Sequence, residues 1–305
     1  MSLKTRNQIL LMITAIVWGL GFVVQAVGGE AFGAFAFNGI RNFMGSAVLL
    51  PLIAFRDKKG ISKKPETVEE KKNLNKAAVI CGFFMFLGSG LQQLSINLGA
   101  DVAKAGFLTA CYILLVPIVG IFFGRKCGLK IWIAVVIALV GLYLLCMMDG
   151  LKLELIDSLL LLCALSFAFQ ILAIDHFIEK VDGLRFASRE FLWVGIFSTV
   201  PALFMDLKVF SGGFSDWLEV FGNGQAVLSV VFAGLCATGI GYTLQIIGQE
   251  GVNPTVASLI MSLESVFGAL FGFLLLHQIL TLRETLGCVI MFAAIILAQL
   301  PDRKA

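Results

Sequence analysis

Charged side chains are scarce in this sequence. Asp, Glu, Lys and Arg make up 14% of its 305 residues, while 59% are hydrophobic. A soluble domain carries about a quarter charged residues, so this deficit excludes an ordinary soluble protein with an apolar core and a polar surface. Nothing in the charge pattern suggests nucleic-acid binding, and we expect no nucleic-acid partner.

The sequence motifs of many enzymes and pumps are also missing. No phosphate-binding P-loop occurs, which argues against an ATP-driven pump within this chain. There are only two histidines and no H-E-x-x-H pair of the kind that binds zinc. The seven cysteines follow no metal-ligand spacing, and most lie in apolar runs, where free cysteine packs as a small hydrophobe. We therefore expect no catalytic residue, no metal and no cofactor.

The chain consists largely of apolar blocks of about 20 residues, the length that spans a bilayer as a helix. Several blocks lack the alternation of polar and apolar residues that is typical of a membrane β-barrel. The seventh block is the weakest, because Arg189 and Glu190 shorten its uncharged part. The sequence therefore predicts an all-α integral membrane protein with ten transmembrane helices, at residues 7–27, 34–54, 76–98, 103–123, 130–148, 156–176, 187–205, 225–247, 254–276 and 281–299.

The basic residues predict the orientation in the membrane. With a cytoplasmic N-terminus, ten spans place all but five of the 23 Lys and Arg residues in cytoplasmic segments, as the positive-inside rule expects. The loop 56–76 has eight basic and four acidic residues. It either fixes the topology as a solvated loop or attracts anionic lipid headgroups. We expect a multi-pass protein of the plasma membrane with both termini in the cytoplasm.

A weak internal repeat relates the two halves of the chain. An offset of 153 residues places Gln92 on Gln245, and an offset of 148 places Arg41 on Arg189. Because each half holds five spans, the second half enters the membrane from the opposite side. Such inverted repeats are common in secondary transporters, which bind solutes between the repeats. We predict two five-helix domains, residues 1–150 with the basic loop 56–76, and residues 151–305.

Three stretches carry a family pattern: Trp18-Gly19, AGFLTACYILLVP at 105–117 and SLESVFGALFGFLLL at 262–276. With them the chain resembles the EamA-type members of the drug/metabolite transporter superfamily, and the resemblance covers nearly the whole chain. It implies two five-helix repeats, cytoplasmic termini, a central cavity, and export or uptake of small metabolites.

Glu264 is the only charge in the 22 residues from 255 to 276. A charge at the centre of a bilayer costs on the order of 3 kcal/mol, so we expect this carboxyl to face the protein interior at mid-depth, beside a cavity. Three roles stay open: a proton carrier, a counter-charge for a cationic substrate, or a structural hydrogen-bond partner. The family often has a proline after this glutamate, where this chain has Ser265.

Four other side chains inside the blocks are candidates for lining the cavity. Gln92, near the outer end of its span, and Gln245, near the inner end of its own, suit opposite vestibules of one pathway. Alternatively, they bond neighbouring helices. Trp18 lies mid-span and either packs against other helices or lines the cavity. Tyr112 is close to the repeat position of Glu264, and its hydroxyl needs a partner if it is buried.

By the repeat, Arg41 and Arg189 lie near opposite faces of the membrane. We expect both side chains to snorkel, which means that the charged end reaches the headgroups. Pairing at a gate is the alternative for both.

The sequence favours a secondary transporter of a small metabolite, an amino acid or a similar polar or amphipathic solute. It would work by alternating access, driven by a proton or substrate gradient. One alternative is a membrane scaffold or receptor that transports nothing. Another is an intramembrane enzyme, which would need a nucleophile–base pair or a metal cluster inside the spans. The expected partners are the solute, the lipid bilayer and, as one option, protons; the oligomeric state is not predicted.

Overall fold

The protein folds as a bundle of helices in a computed structural model, which describes residues 1–61, 63–100, 102–147, 154–207, 213–276 and 279–300. No β-strand occurs among these residues. The last five residues, which include the C-terminus expected in the cytoplasm, lie outside them.

Within the residues described, six α-helices form the first half and eight form the second. The first six are α1 (Leu3–Phe32), α2 (Ala34–Lys58), α3 (Val68–Asn97), α4 (Val102–Ala110), α5 (Tyr112–Phe122) and α6 (Leu129–Cys146). The others are α7 (Asp157–Phe177), α8 (Gly183–Pro201), α9 (Phe214–Glu219), α10 (Gly224–Phe232), α11 (Thr243–Gly248), α12 (Pro254–Met261), α13 (Glu264–Leu276) and α14 (Leu282–Gln299).

Capping residues set where several helices begin. At the start of α3, Thr67 accepts a hydrogen bond from the backbone of Glu70, whose side chain accepts one from the backbone of Thr67. This capping box satisfies backbone N–H groups that have no partner inside the helix. At the start of α12, Asn253 accepts from the backbone N–H of Thr255, and a proline follows it in the first turn, where its missing N–H costs nothing.

Two of the apolar blocks are broken helices. The fourth block breaks between α4 and α5 at Cys111, and the ninth breaks between α12 and α13 at residues 262–263. The breaks place Tyr112 at the first position of α5 and Glu264 at the first position of α13. Backbone hydrogen bonds still cross both places, from Leu115 to Cys111 and from Phe267 to Leu263, so each is a local irregularity within one span.

The eighth block is continuous but changes its winding. Between α10 and α11, residues Ala233–Tyr242 form a π-helix, in which each N–H bonds five residues back. A shorter π-helix, Ala202–Asp206, follows α8. Such windings are rare and are often found at functional sites.

Seven helical segments among the described residues are long and apolar enough to cross a membrane. They correspond to the third to sixth and the eighth to tenth blocks, whereas α1, α2 and α8 are not among them. Each of the ten blocks nevertheless coincides with helical structure. The all-helical membrane architecture is therefore confirmed, and the count of ten spans stays a prediction.

The helices pack in reciprocal pairs. With the blocks numbered one to ten, block five packs on block ten, and block two on block seven. Block three packs on blocks six and seven, and block eight packs on the corresponding blocks one and two. Block four packs on block six, and block nine packs on the corresponding block one. If blocks one to five are exchanged for blocks six to ten in order, the same set of contacts results.

The contact between α6 and α14 is a backbone contact. A Cβ atom built on Gly287 would lie 2.6 Å from the carbonyl oxygen of Gly141, and one built on Gly141 would lie 2.9 Å from the carbonyl oxygen of Gly287. Glycine at both positions therefore allows the fifth and tenth blocks to touch without intervening side chains.

Candidate functional site

A polar cavity lies inside the bundle, and both halves of the chain line it. The space available to the centre of a water molecule is about 50 Å³, and the volume is about 580 Å³ when all gaps between the lining atoms and the open mouth are counted. The structure brings six of the seven candidate residues together in its lining: Trp18, Arg41, Gln92, Tyr112, Gln245 and Glu264. Arg189 is not part of it.

Glu264 faces this cavity from the break before α13. Its side chain is buried, with 7% of the residue exposed. Among the described residues, no side chain pairs or hydrogen-bonds with its carboxyl group. No structural partner is seen for the carboxyl, which leaves it available to a ligand.

Arg41 does not snorkel, which corrects the sequence-based expectation. The residue is only 3% exposed, and its Nε and Nη2 atoms donate to Oδ1 of Asn38 at 3.1 and 2.9 Å. The guanidinium also lies over the ring of Phe37, 5.6 Å from the ring centre. These contacts within α2 hold the side chain inward. No carboxylate of the described residues lies within ion-pair distance of it.

Arg189 lies on α8 away from the cavity. Its guanidinium donates to Oδ1 of Asn75 at the start of α3, and the residue is half-buried. The sequence treated Arg41 and Arg189 alike, whereas the structure gives them different surroundings. Snorkelling stays a prediction for Arg189.

Gln92 and Gln245 line the same cavity, not opposite vestibules as expected. Nε2 of Gln25 donates to Oε1 of Gln92 at 3.0 Å, and Nε2 of Gln92 donates to the hydroxyl of Thr109 at 3.0 Å. Nε2 of Gln245 donates to Oε1 of Gln170 at 3.2 Å. Each glutamine is held at the cavity by a hydrogen bond to a neighbouring helix, which is the second of the two alternatives considered for these residues.

Aromatic side chains form part of the wall. Nε1 of Trp18 donates to the carbonyl oxygen of Ala237 at 3.1 Å, and its ring lies 4.6 Å from that of Tyr242, centre to centre. Trp18 therefore both packs against the π-helix and lines the cavity. Tyr112 is 4% exposed, and among the described residues its hydroxyl has no hydrogen-bond partner. That oxygen atom is itself buried, so it does not open onto the cavity in this structure.

Sequence reasoning missed several residues at or near the cavity. Gln25, Thr109 and Tyr242 line it, and Gln170 and Glu190 form a hydrogen-bonded pair behind it. All five are polar positions within apolar blocks, which was the available signal. Glu190 was considered only because it shortens the seventh block. Among the described residues, no group of three or more His, Cys, Asp or Glu side chains is placed to hold a metal ion.

The sequence of this chain is similar to those of known transporter proteins. The sequence profile of the EamA-like transporter family matches the chain twice, at residues 6–147 and 155–300. An "Uncharacterized transporter" of Archaeoglobus fulgidus is 27% identical over 291 residues, which cover 95% of this chain and 84% of that protein. The "Uncharacterized transporter YoaV" of Bacillus subtilis is 25% identical over 283 residues, 92% of each chain.

A solved structure, described only as "Crystal structure of protein", has the same fold. It superposes with a TM-score of 0.74 at 15% identity, covering 97% of this chain and 96% of that one. At this identity the likeness shows the fold alone. The family matches span nearly the whole chain and point to transport, not to catalysis. This chain is therefore a multi-pass membrane protein that belongs to the EamA-like transporter family.

Proposed function

We propose that the protein is a secondary transporter that moves a small zwitterionic solute, such as an amino acid, across the plasma membrane by alternating access. One observation carries the proposal. Arg41 and Glu264 carry opposite charges and line the same cavity, and neither has an ion partner among the described residues.

Two unpaired charges in a buried cavity need compensation. A buried charge without a partner is costly, and a hydrogen-bonded partner of opposite charge offsets that cost. A solute that carries both an ammonium and a carboxylate would supply both partners. Its carboxylate suits the guanidinium of Arg41, and its ammonium suits the carboxylate of Glu264. The face of Trp18 would add an aromatic contact that favours a cation.

The proposed architecture is an inverted repeat of ten spans, with both termini in the cytoplasm. The reciprocal packing of the blocks supports two equivalent halves, as do the two family matches at 6–147 and 155–300. We assign the halves to residues 1–150 and 151–305. Because five spans separate equivalent helices, the halves would have opposite orientations. Exchange of their conformations would then open the cavity to either side of the membrane in turn.

A proton is the proposed coupling ion. A buried carboxyl group without a cationic partner is more stable when neutral than when ionised. The ammonium of the solute and a proton would therefore compete for Glu264. A Glu264→Gln variant should lose uptake driven by a proton gradient and keep exchange of solute between the two sides, although with weaker binding.

The test is counterflow in proteoliposomes with three probes that differ only in their charged groups: L-leucine, isopentylamine, which lacks the carboxylate, and isocaproate, which lacks the ammonium. L-leucine should exchange fastest. Replacing Arg41 by Gln should weaken its binding about tenfold to a hundredfold, since a hydrogen bond to a charged group contributes about 1.5–3 kcal/mol.

The matched control is Arg189→Gln, which removes a guanidinium that does not touch the cavity. It should leave exchange close to that of the wild type. Equal exchange of all three probes by the wild type would exclude zwitterion selectivity. Binding without any flux would instead favour a receptor.

A further inference from the structure

A second buried carboxyl group lies behind the cavity, and the proposed transport mechanism does not use it. Glu190 on α8 is fully buried, with 0% exposed. Its Oε1 accepts a hydrogen bond from Nε2 of Gln170 at 2.9 Å, and Oε1 of Gln170 accepts one from Nε2 of Gln245 at 3.2 Å. Gln245 lines the cavity. Three side chains on three helices thus connect a buried carboxyl to the solute site.

The carboxyl group sets the direction of this chain of hydrogen bonds. An ionised carboxylate only accepts hydrogen bonds, whereas an amide has one end that donates and one that accepts. When it is ionised, Glu190 therefore draws the NH₂ group of Gln170 toward itself, the orientation seen in this structure, which turns the carbonyl of Gln170 toward the NH₂ group of Gln245. The carbonyl oxygen Oε1 of Gln245 is left without a partner among the described residues. This oxygen is itself buried, and because Gln245 lines the cavity, it is the acceptor that this side chain would offer to a solute there.

Among the described residues, no cationic side chain pairs with Glu190. The titratable side chains described around it are Cys81 of α3 and Tyr242 of the π-helix. Arg41 of α2 is turned toward Asn38. Oε2 of Glu190 has no hydrogen-bond partner among the described residues.

Glu190 also occupies the place in the second half that Arg41 occupies in the first. A Cβ built on Gly82 of α3 would lie 3.0 Å from the carbonyl oxygen of Glu190, and one built on Gly234 of the π-helix would lie 3.2 Å from that of Arg41. These are matching contacts, between blocks three and seven and between blocks eight and two. They pair Arg41 with Glu190, one residue beyond the Arg189 suggested by the sequence offset.

We propose that Glu190 is a positioning residue that determines which end of the Gln245 amide the solute meets. When Glu190 is ionised, Gln245 presents its carbonyl oxygen, which accepts a hydrogen bond from the ammonium of the solute. When Glu190 is neutral, both amides can reverse, and Gln245 presents its NH₂ group, which suits an anion. The inference rests on the proposed function, because it concerns the same cavity.

The test compares the affinities of purified protein in lipid nanodiscs for isopentylamine and isocaproate. The readout is the ratio of the two affinities, amine over acid. Glu190→Gln keeps a side chain that can bond Gln170 but no longer forces its orientation, so the ratio should fall about tenfold. Gln170→Leu cuts the chain of hydrogen bonds and should lower the ratio by a similar factor. The double variant should lower it no further, because the two residues act through one path.

The matched control is Ser188→Ala on the same helix. Among the described residues, the hydroxyl of Ser188 bonds only to Ser46, so this variant removes a buried polar contact without touching the chain to the cavity. It should leave the ratio unchanged. A loss of stability alone would weaken binding of both probes and would not move their ratio.

Four outcomes decide the matter. A wild-type ratio in Glu190→Gln overturns the inference even if both probes bind. If that variant does not fold, Gln170→Leu decides, and a wild-type ratio there overturns the inference as well. If the wild type binds L-leucine but neither isopentylamine nor isocaproate, the readout becomes the affinity for L-leucine. This affinity should fall about tenfold in Glu190→Gln and in Gln170→Leu, and it should not fall in Ser188→Ala. A wild type that binds none of the three probes refutes the proposed function, and the inference fails with it.

Discussion

Replacing Gly287 by alanine would place a methyl group in the contact between α6 and α14. Its Cβ would lie 2.6 Å from the carbonyl oxygen of Gly141 and 2.7 Å from the backbone nitrogen of Leu145. Both obstacles are backbone atoms, so no side-chain rotation can relieve the overlap. The two helices would have to move apart along their contact.

The size of the effect follows from two opposing contributions. Overpacking of a close contact costs about 1–3 kcal/mol, and the backbone obstacles favour the upper end of that range. Alanine in place of glycine within a helix stabilises by about 1 kcal/mol. We therefore expect Gly287→Ala to lower the free energy of unfolding by about 2 kcal/mol. Gly141→Ala should lower the free energy of unfolding by less, because one atom close to its Cβ is Cγ of Met291 at 2.8 Å, which belongs to a flexible side chain that can move.

The assay is denaturant unfolding of the purified protein in detergent micelles. Gly106→Ala is the control, since nothing lies within 4 Å of a Cβ built there, and it should be neutral or slightly stabilising. The double variant of Gly141 and Gly287 should cost less than the sum of the single ones, because helices that are already separated accept the second methyl group. A Gly287→Ala protein as stable as the wild type, or strictly additive costs, would refute the close backbone contact.

Three further predictions concern other parts of the chain. Asp157→Asn should lower the free energy of unfolding by about 3 kcal/mol in the same assay. Asp157 is 1% exposed, and its carboxylate lies 2.6 Å from Nζ of Lys104. An unchanged unfolding midpoint would contradict this prediction. Trp18→Phe should lower the free energy of unfolding by about 1–3 kcal/mol and weaken L-leucine binding, because the carbonyl oxygen of Ala237 loses its hydrogen-bond donor. A binding titration that matches the wild type would count against this prediction. A single cysteine at Glu66 in a cysteine-free background should resist an impermeant thiol reagent in intact cells, and labelling from outside would reverse the proposed topology.

Some of the site could be predicted from the sequence because isolated polar groups in apolar blocks must face protein or water. This argument found Glu264, Gln92 and Gln245 without any knowledge of helix packing. It could not predict the fate of Arg41, because snorkelling depends on the surroundings. A long side chain reaches the headgroups only if nothing inside holds it, and Asn38 holds this one.

The helical blocks were predictable from their length and apolarity, whereas their interruptions were not. The break before Glu264 has no proline, and the nearest proline to the break at Cys111 is Pro117, inside α5. The start of α3 at Val68 precedes the predicted span by eight residues, since polar residues extend a helix beyond the membrane once a capping box starts it. Hydrophobicity reports where lipid lies, and it does not report where a helix begins.

The π-helix in the eighth block has a consequence for how the two halves match. Gly82 and Gly234 make equivalent contacts with the neighbouring block. A few residues further on, Gly88 meets the ring of Phe167 as Gly241 meets that of Trp18, with built Cβ atoms 3.0 and 2.6 Å from the rings.

The first pair of glycines, Gly82 and Gly234, is 152 residues apart, and the second pair, Gly88 and Gly241, is 153 apart. The eighth block therefore holds one residue more than the third between the same two contacts. In a regular α-helix the extra residue would rotate everything after it by about 100°, and Gln245 would turn away from the cavity. The wider π turns absorb the extra residue, so the two halves differ in length here and still present their glutamines to the same space.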